Sequence, residues 1–228
     1  SSSAWREAAA LLASGRIGTV TRAVVECASP RTRQAAPRRI EFASRDARRD
    51  WIGPDTRSQS IPDPLQFDWR WQPSFGAGDL GHAAYHELDL ARWGLNVDSP
   101  AAVEFQPLSG GLREASSPPE ADRYRFTFAA GCDTPRKTID VIVHRGRDLP
   151  AATVTFHGSQ ARLVASAWGY QIGHADRSVI CQAADTLPNP WQRFVGEITA
   201  GGPCLPGEDI SQGCLTAYLC TLGNHAAC

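Results

Sequence analysis

Over its second half the chain alternates apolar and polar side chains in short runs: Tyr124, Phe126 and Phe128; Ile139, Val141 and Val143; Val154 and Phe156; Leu163 and Ala165. A period of two predicts strands with one buried face. Short Gly-containing turns between the runs predict antiparallel pairing. The opposite positions carry Arg123, Arg125, Asp140 and His144, as expected of a sheet covered on one side only. Two further strands are predicted earlier, one over roughly residues 16–28 with Ala23, Val25 and Cys27 on one face, and one after Pro100 with Val103 and Phe105 inward. Helical spacing holds elsewhere. Trp5, Ala8, Ala9 and Leu12 follow a Ser3 N-cap and stop at Ser14-Gly15. Trp191, Phe194, Val195 and Ile198 follow Asn189-Pro190, and Leu215, Tyr218, Leu219 and Leu222 share a register within residues 207–222. The expectation is one α+β domain over residues 1–228, a mainly antiparallel open sheet with helices packed on one face.

Between these halves lies the stretch that concentrates ionisable groups, Gly76-Ala77-Gly78-Asp79-Leu80-Gly81-His82 continuing through His86, Asp89 and Arg92 to Trp93. It reads as a glycine-rich turn opening a helix of about four turns. On that helix His82, His86, Asp89 and Trp93 fall at i, i+4, i+7 and i+11, one face. The preceding residues 54–75 form a Pro- and Trp-rich loop, longer than most connections inside a domain. Its aromatics, Phe67, Trp69, Trp71 and Phe75, suit either stacking on a sugar ring or pinning the loop to the core.

Composition narrows the partners. A net charge of -1 on 228 residues gives no reason for a nucleic-acid or membrane partner. No apolar run is long enough to span a bilayer. Arg31, Arg33, Arg38, Arg39, Arg45, Arg48 and Arg49 are diluted by Glu41, Asp46 and Asp50, which fits a solvated arm or short helix. Seven cysteines without a Cys-x-x-Cys spacing fit buried thiols better than a zinc ribbon. The chain contains no Met, and residue 1 is expected to lie inside a longer protein. With no leader and an odd cysteine, the expectation leans to the cytoplasm, with export as the alternative.

The central stretch allows several chemistries. Gly76 to Gly81 matches G-x-G-x-x-G, half of a dinucleotide fingerprint, but the strand that should precede it is interrupted by Pro73 and charges, and Asp79 would repel a pyrophosphate. His82, His86 and Asp89 could ligate a metal, although Ala83 stands where a zinc protease needs its Glu. His86 could be a general acid–base tuned by its neighbour at i−4, since imidazole titrates near neutral pH. Two histidines in ordinary helix hydrogen bonds would account for the same residues.

Residues 65–94 resemble the substrate domain of the glucose–fructose oxidoreductase / inositol dehydrogenase family (Gfo/Idh/MocA), in the members with a Trp-rich loop followed by G-x-G-D-[LI]-G and H-x-x-D-[LI]-A-R-W. Arg6-Glu7, Ser14-Gly15-Arg16-Ile17-Gly18-Thr19-Val20, Trp51-Ile52-Gly53-Pro54 and Asn189-Pro190-Trp191-Gln192-Arg193-Phe194 extend the resemblance over nearly the whole chain. The resemblance implies a C-terminal substrate and oligomerisation domain whose Rossmann partner, carrying NAD or NADP and a Glu-Lys-Pro lysine, would precede residue 1. It places the catalytic proton shuttle at His86, puts His82 where many members have Asp, and makes Asp89 and Arg92 the helix's supports. Arg70, Trp69 and Trp71 become candidate contacts to a sugar, cyclitol or derivative. No cofactor-binding residue and no metal ligand is expected in this chain, which alone should be inactive. The competing class is a redox-inactive carbohydrate-binding or subunit-assembly module, with homo-oligomers formed through the sheet face. A metal-binding protein is the third.

Overall fold

The computed structural model describes residues 3–29, 44–52, 69–71, 75–108, 121–131, 134–145, 149, 151–174, 177–182, 190–201 and 210–227. Its strands are β1 (Val20–Ala28), β2 (Ala102–Leu108), β3 (Ala121–Phe128), β4 (Lys137–His144), β5 (Thr153–Gly158), β6 (Arg162–Ser166), β7 (Gly169–His174) and β8 (Arg177–Gln182). The helices are α1 (Ser3–Ala13), α2 (Arg45–Ile52), α3 (Tyr85–Leu95), α4 (Pro190–Ala200) and α5 (Ile210–Ala226).

The eight strands form one sheet in the order β2-β3-β4-β1-β5-β6-β7-β8. It consists of two antiparallel meanders, β2 to β4 and β5 to β8, knitted together by β1. The β1–β4 pair is parallel, so the alternating runs 139–143 and 154–156 are not neighbours in the sheet as the short turn between them predicts. The register explains the insertion. Ala23, Val25 and Cys27 stand opposite Ile139, Val141 and Val143 on one side, and Ala23 and Val25 opposite Phe156 and Val154 on the other. All eight are fully buried. The apolar face of β1 thus continues the buried faces of β4 and β5 without a break, under α3.

Strands β7 and β8 were not anticipated from the sequence. Gly169, Gly173 and His174 break the alternation there, and pairing with β6 supplies what local pattern lacks. The polar face is as expected: Asp140 receives Nε and Nη2 of Arg125 at 2.7 and 2.9 Å and Nη2 of Arg22 at 3.0 Å.

Helix α3 lies across β1, β4 and β5, α1 across β6 and β7, and α5 across β2 and β3. Ala4 and Ala8 face the sheet from α1, which ends at Gly15 with φ of 70°. Two stripes differ from expectation. The buried line of α5 is Thr216, Leu219, Cys220 and Gly223, leaving Tyr218 exposed, because a buried polar group on α3 draws Thr216 inward. Trp191, Val195 and Ile198 of α4 face outward, at 76, 57 and 65% exposure. Residues 31–43, 53–68 and 109–120, with Asn189, Cys132, Cys204 and Cys228, lie outside the described residues.

Candidate functional site

The helix carrying the histidines does not start as a regular α-helix. Leu80–Ala84 is a π-helical turn, and α3 proper begins at Tyr85. The wider turn carries an extra residue, so His82 is displaced from the line through His86 and Asp89 that a regular helix would give. Gly78, at φ of 60°, allows the chain to turn beneath α5: a Cβ there would come within 2.6 Å of Asn224 Oδ1, and Asn224 Nδ2 donates to the Ala77 carbonyl. Of the glycines in the G-x-G-x-x-G pattern, Gly78 is therefore backed by α5, while Gly76 lies against the backbone of Arg70 in a 3-10 turn (Trp69–Trp71). Asp79 beside it is buried. These residues do not fit a dinucleotide.

His82 is exposed. Its Nε2 accepts Arg70 Nε at 3.1 Å, and Trp71 stands edge-on to its ring with centroids 6.4 Å apart and planes at 75°. Accepting at Nε2 puts the ring hydrogen on Nδ1. His86 is also exposed and meets the Tyr85 ring edge-on at 5.7 Å. Among the described residues no hydrogen bond joins the two imidazoles. Tyr85 is itself fixed by donating its hydroxyl to the Gly213 carbonyl at 3.0 Å. Trp69 is the first residue of the 3-10 turn. His82, Arg70 and Trp71 thus form one cluster, with His86 one helical turn further on.

Asp89 and Arg92 point the other way, towards α5. Arg92 is 2% exposed and donates to Gln212 Oε1 at 2.7 Å, Thr216 Oγ1 at 3.3 Å, Asp89 Oδ1 at 3.4 Å and the Val97 carbonyl at 3.5 Å. Thr216 also donates to Asp89. Oδ1 of Asp89 is thus engaged towards α5, and among the described residues no three His, Cys, Asp or Glu side chains are grouped as metal ligands.

Glu87 carries no signal in the sequence, whereas Cys27 is inward on β1 as expected. Glu87, next to His86, is half-buried; burial pushes its carboxyl up, against a backbone hydrogen bond and the His86 charge. Cys27 lies beneath it in the core, its thiol pushed up to about 12 by burial and then by Glu87, Asp79 and Glu26. Their proximity shows in no local pattern, because it depends on the packing of α3 over β1.

The eight-stranded sheet with its helix-covered face and glycine-entered α3 is similar in fold to part of solved Gfo/Idh/MocA-type oxidoreductases. No family profile and no curated protein sequence matches the chain. Among solved structures it is similar to an oxidoreductase from Thermotoga maritima, with a TM-score of 0.59 at 11% identity over 99% of this chain and 58% of that one. An aldose–aldose oxidoreductase from Caulobacter crescentus, complexed with glycerol, gives 0.62 at 15% identity over 99% and 58%. Levoglucosan dehydrogenase, complexed with NADH and L-sorbose, gives 0.55 at 18% over 96% and 60%. The chain spans less than two thirds of the length of these proteins. No helix among the described residues is long and apolar enough to cross a membrane.

Proposed function

We propose that the chain is the substrate-binding domain of an NAD(P)-dependent oxidoreductase acting on a secondary alcohol or carbonyl of a sugar, cyclitol or derivative. The observation that carries this reading is the coincidence of the fold with an exposed His86 on α3, one turn beyond the Arg70–His82–Trp71 cluster. His86 holds and moves the proton of the substrate hydroxyl. Arg70 and His82 bind neighbouring hydroxyls, and Trp71 offers an aromatic surface to the ring, with Trp69 a further candidate contact. The hydride acceptor belongs to a nucleotide-binding domain outside these residues, and the chain alone carries out no net oxidation. On the same reading, the polar outer face of the sheet is where copies of the chain assemble.

The test is a titration of the isotope-labelled chain with myo-inositol and with glucose, following by NMR the backbone amides of α3 in parent and variant, and the His86 ring in the parent. Saturable shifts are expected. Replacing His86→Ala should raise the dissociation constant about tenfold, the worth of one hydrogen bond at about 1.4 kcal/mol. Equal binding by parent and variant, or no binding of either polyol, refutes the assignment.

A further inference from the structure

Arg70 and Trp71 sit on a turn of three residues, and a short turn holds a site only if something rigid holds the turn. In the sequence, Asp79 argues only against a phosphate at the glycine-rich turn. In the structure it is 5% exposed, at the foot of the π-helical turn. A carboxylate there would ordinarily cap the free backbone N–H groups of the helix. Asp79 makes no such cap. Its Oδ1 is turned back and accepts two hydrogen bonds, from the Ser29 hydroxyl at 2.6 Å and from the Trp71 indole N–H at 2.9 Å.

Each of those donors leads somewhere. Ser29 follows the last residue of β1, and its backbone N–H donates to the His144 carbonyl at 2.8 Å, at the end of the parallel β1–β4 pair. It is fixed by that bond to the end of β4. Trp71 leads to the site: its ring stands edge-on to His82, and the preceding residue, Arg70, donates to His82 Nε2. Gly76 completes the arrangement, because any Cβ at that position would lie 2.0 Å from the Arg70 carbonyl oxygen. The 69–71 turn is thus pressed on the chain at Gly76 and tethered to the sheet through one carboxylate oxygen.

We infer that Asp79 is a positioning residue of the site: by tying Trp71 to the end of β1 it sets the plane of the His82 ring and, through Arg70, which ring nitrogen carries the hydrogen. A neutral His82 with its hydrogen on Nδ1 presents a donor to a substrate hydroxyl, whereas the other tautomer presents an acceptor. The carboxylate therefore decides how His82 meets a ligand without touching one. This inference rests on the site proposed above, and its test separates the two.

The experiment follows the Trp71 indole N–H and the His82 ring nitrogens of the labelled chain by NMR at about pH 8, where an ordinary imidazole is neutral. Trp71→Phe and His82→Gln assign the signals. Asp79→Asn keeps an oxygen acceptor and should retain both the indole position and the Nδ1–H tautomer. Asp79→Ala should lose both, the indole moving to the position of a water-exposed indole and His82 becoming a mixture of tautomers. Thr216→Ala loosens the α3–α5 contact instead and should move neither signal, so a mere loss of stability does not imitate the effect. If Asp79→Ala does not fold, Ser29→Ala replaces it, and a partial shift of the indole is expected. Unchanged signals in a folded Asp79→Ala or Ser29→Ala chain overturn the inference, as does Asp79→Asn behaving like Asp79→Ala. Polyol titration of His86 is read on the same samples: a silent His86 beside a displaced Trp71 refutes the functional reading and leaves the role of Asp79 in placing His82 standing.

Discussion

Arg92 gives the sharpest test of how α3 is held. The perturbation is Arg92→Met, which keeps the length and apolar stem of the side chain and removes its guanidinium. In the parent, that group is 2% exposed and serves Gln212, Thr216, Asp89 and the Val97 carbonyl at once. Its contact with Asp98, at 3.5 Å, counts for little because Asp98 is 76% exposed and screened by water. The remaining partners stay behind when Arg92 goes. Breaking a buried ion pair from one side costs about 3–5 kcal/mol, and Asp89, at 26% exposure, recovers part of this by hydration. The net cost should be about 3 kcal/mol. For a chain of this size each kcal/mol lowers the melting temperature by about 2–4 °C, so Arg92→Met should melt roughly 6–12 °C below the parent. Urea unfolding followed by circular dichroism supplies the free energy. A double-mutant cycle with Thr216→Val should return a coupling of about 1 kcal/mol. A loss below about 1 kcal/mol for Arg92→Met, or zero coupling to Thr216, would show that the network is ornamental and that apolar packing alone seats α5 on α3.

Acid should act through Asp140. Burial pushes its carboxyl up, but the hydrogen bonds and charges of Arg125 and Arg22 outweigh this and hold it below the usual carboxylate range. A lowered folded value gives stability that is complete above the unfolded value of about 3.9 and disappears as pH falls through the folded one. Asp140→Asn should therefore lower the urea midpoint at about pH 7, with the gap to the parent closing below about pH 4; a gap independent of pH contradicts the reasoning. Asp122 has the opposite sign, since burial raises its carboxyl despite Arg145, and Asp122→Asn should cost less at neutral pH. Close approach of α5 makes the third test. A Cβ on Gly223 would lie 2.2 Å from Leu80 Cδ1, so Gly223→Ala should cost about 1–3 kcal/mol in urea unfolding. Gly196→Ala in α4, where a Cβ meets nothing within 4 Å, should cost nothing and gain up to about 1 kcal/mol from helix propensity.

What the amino-acid order determined here is local. Period-two runs located β3, β4, β5 and β6, and their polar alternates, Arg125 and Asp140 among them, marked the open face before any coordinates. The glycine-entered helix with His82 and His86 was legible for the same reason: helix and strand periods are written into neighbours a few residues apart. The tertiary structure decided everything that joins distant segments. It put β1 between β4 and β5, because a strand flanked on both edges is chosen by what it meets across more than a hundred residues of chain. It turned Thr216 inward to satisfy Arg92, against the apolar count of its own helix. It widened one turn at Leu80–Ala84 and so separated two histidines that a helical wheel stacks together. And it gave Asp79 its partners, Ser29 and Trp71, which no spacing rule could connect because hydrogen bonds to a buried oxygen depend on proximity in space and leave no period in the sequence.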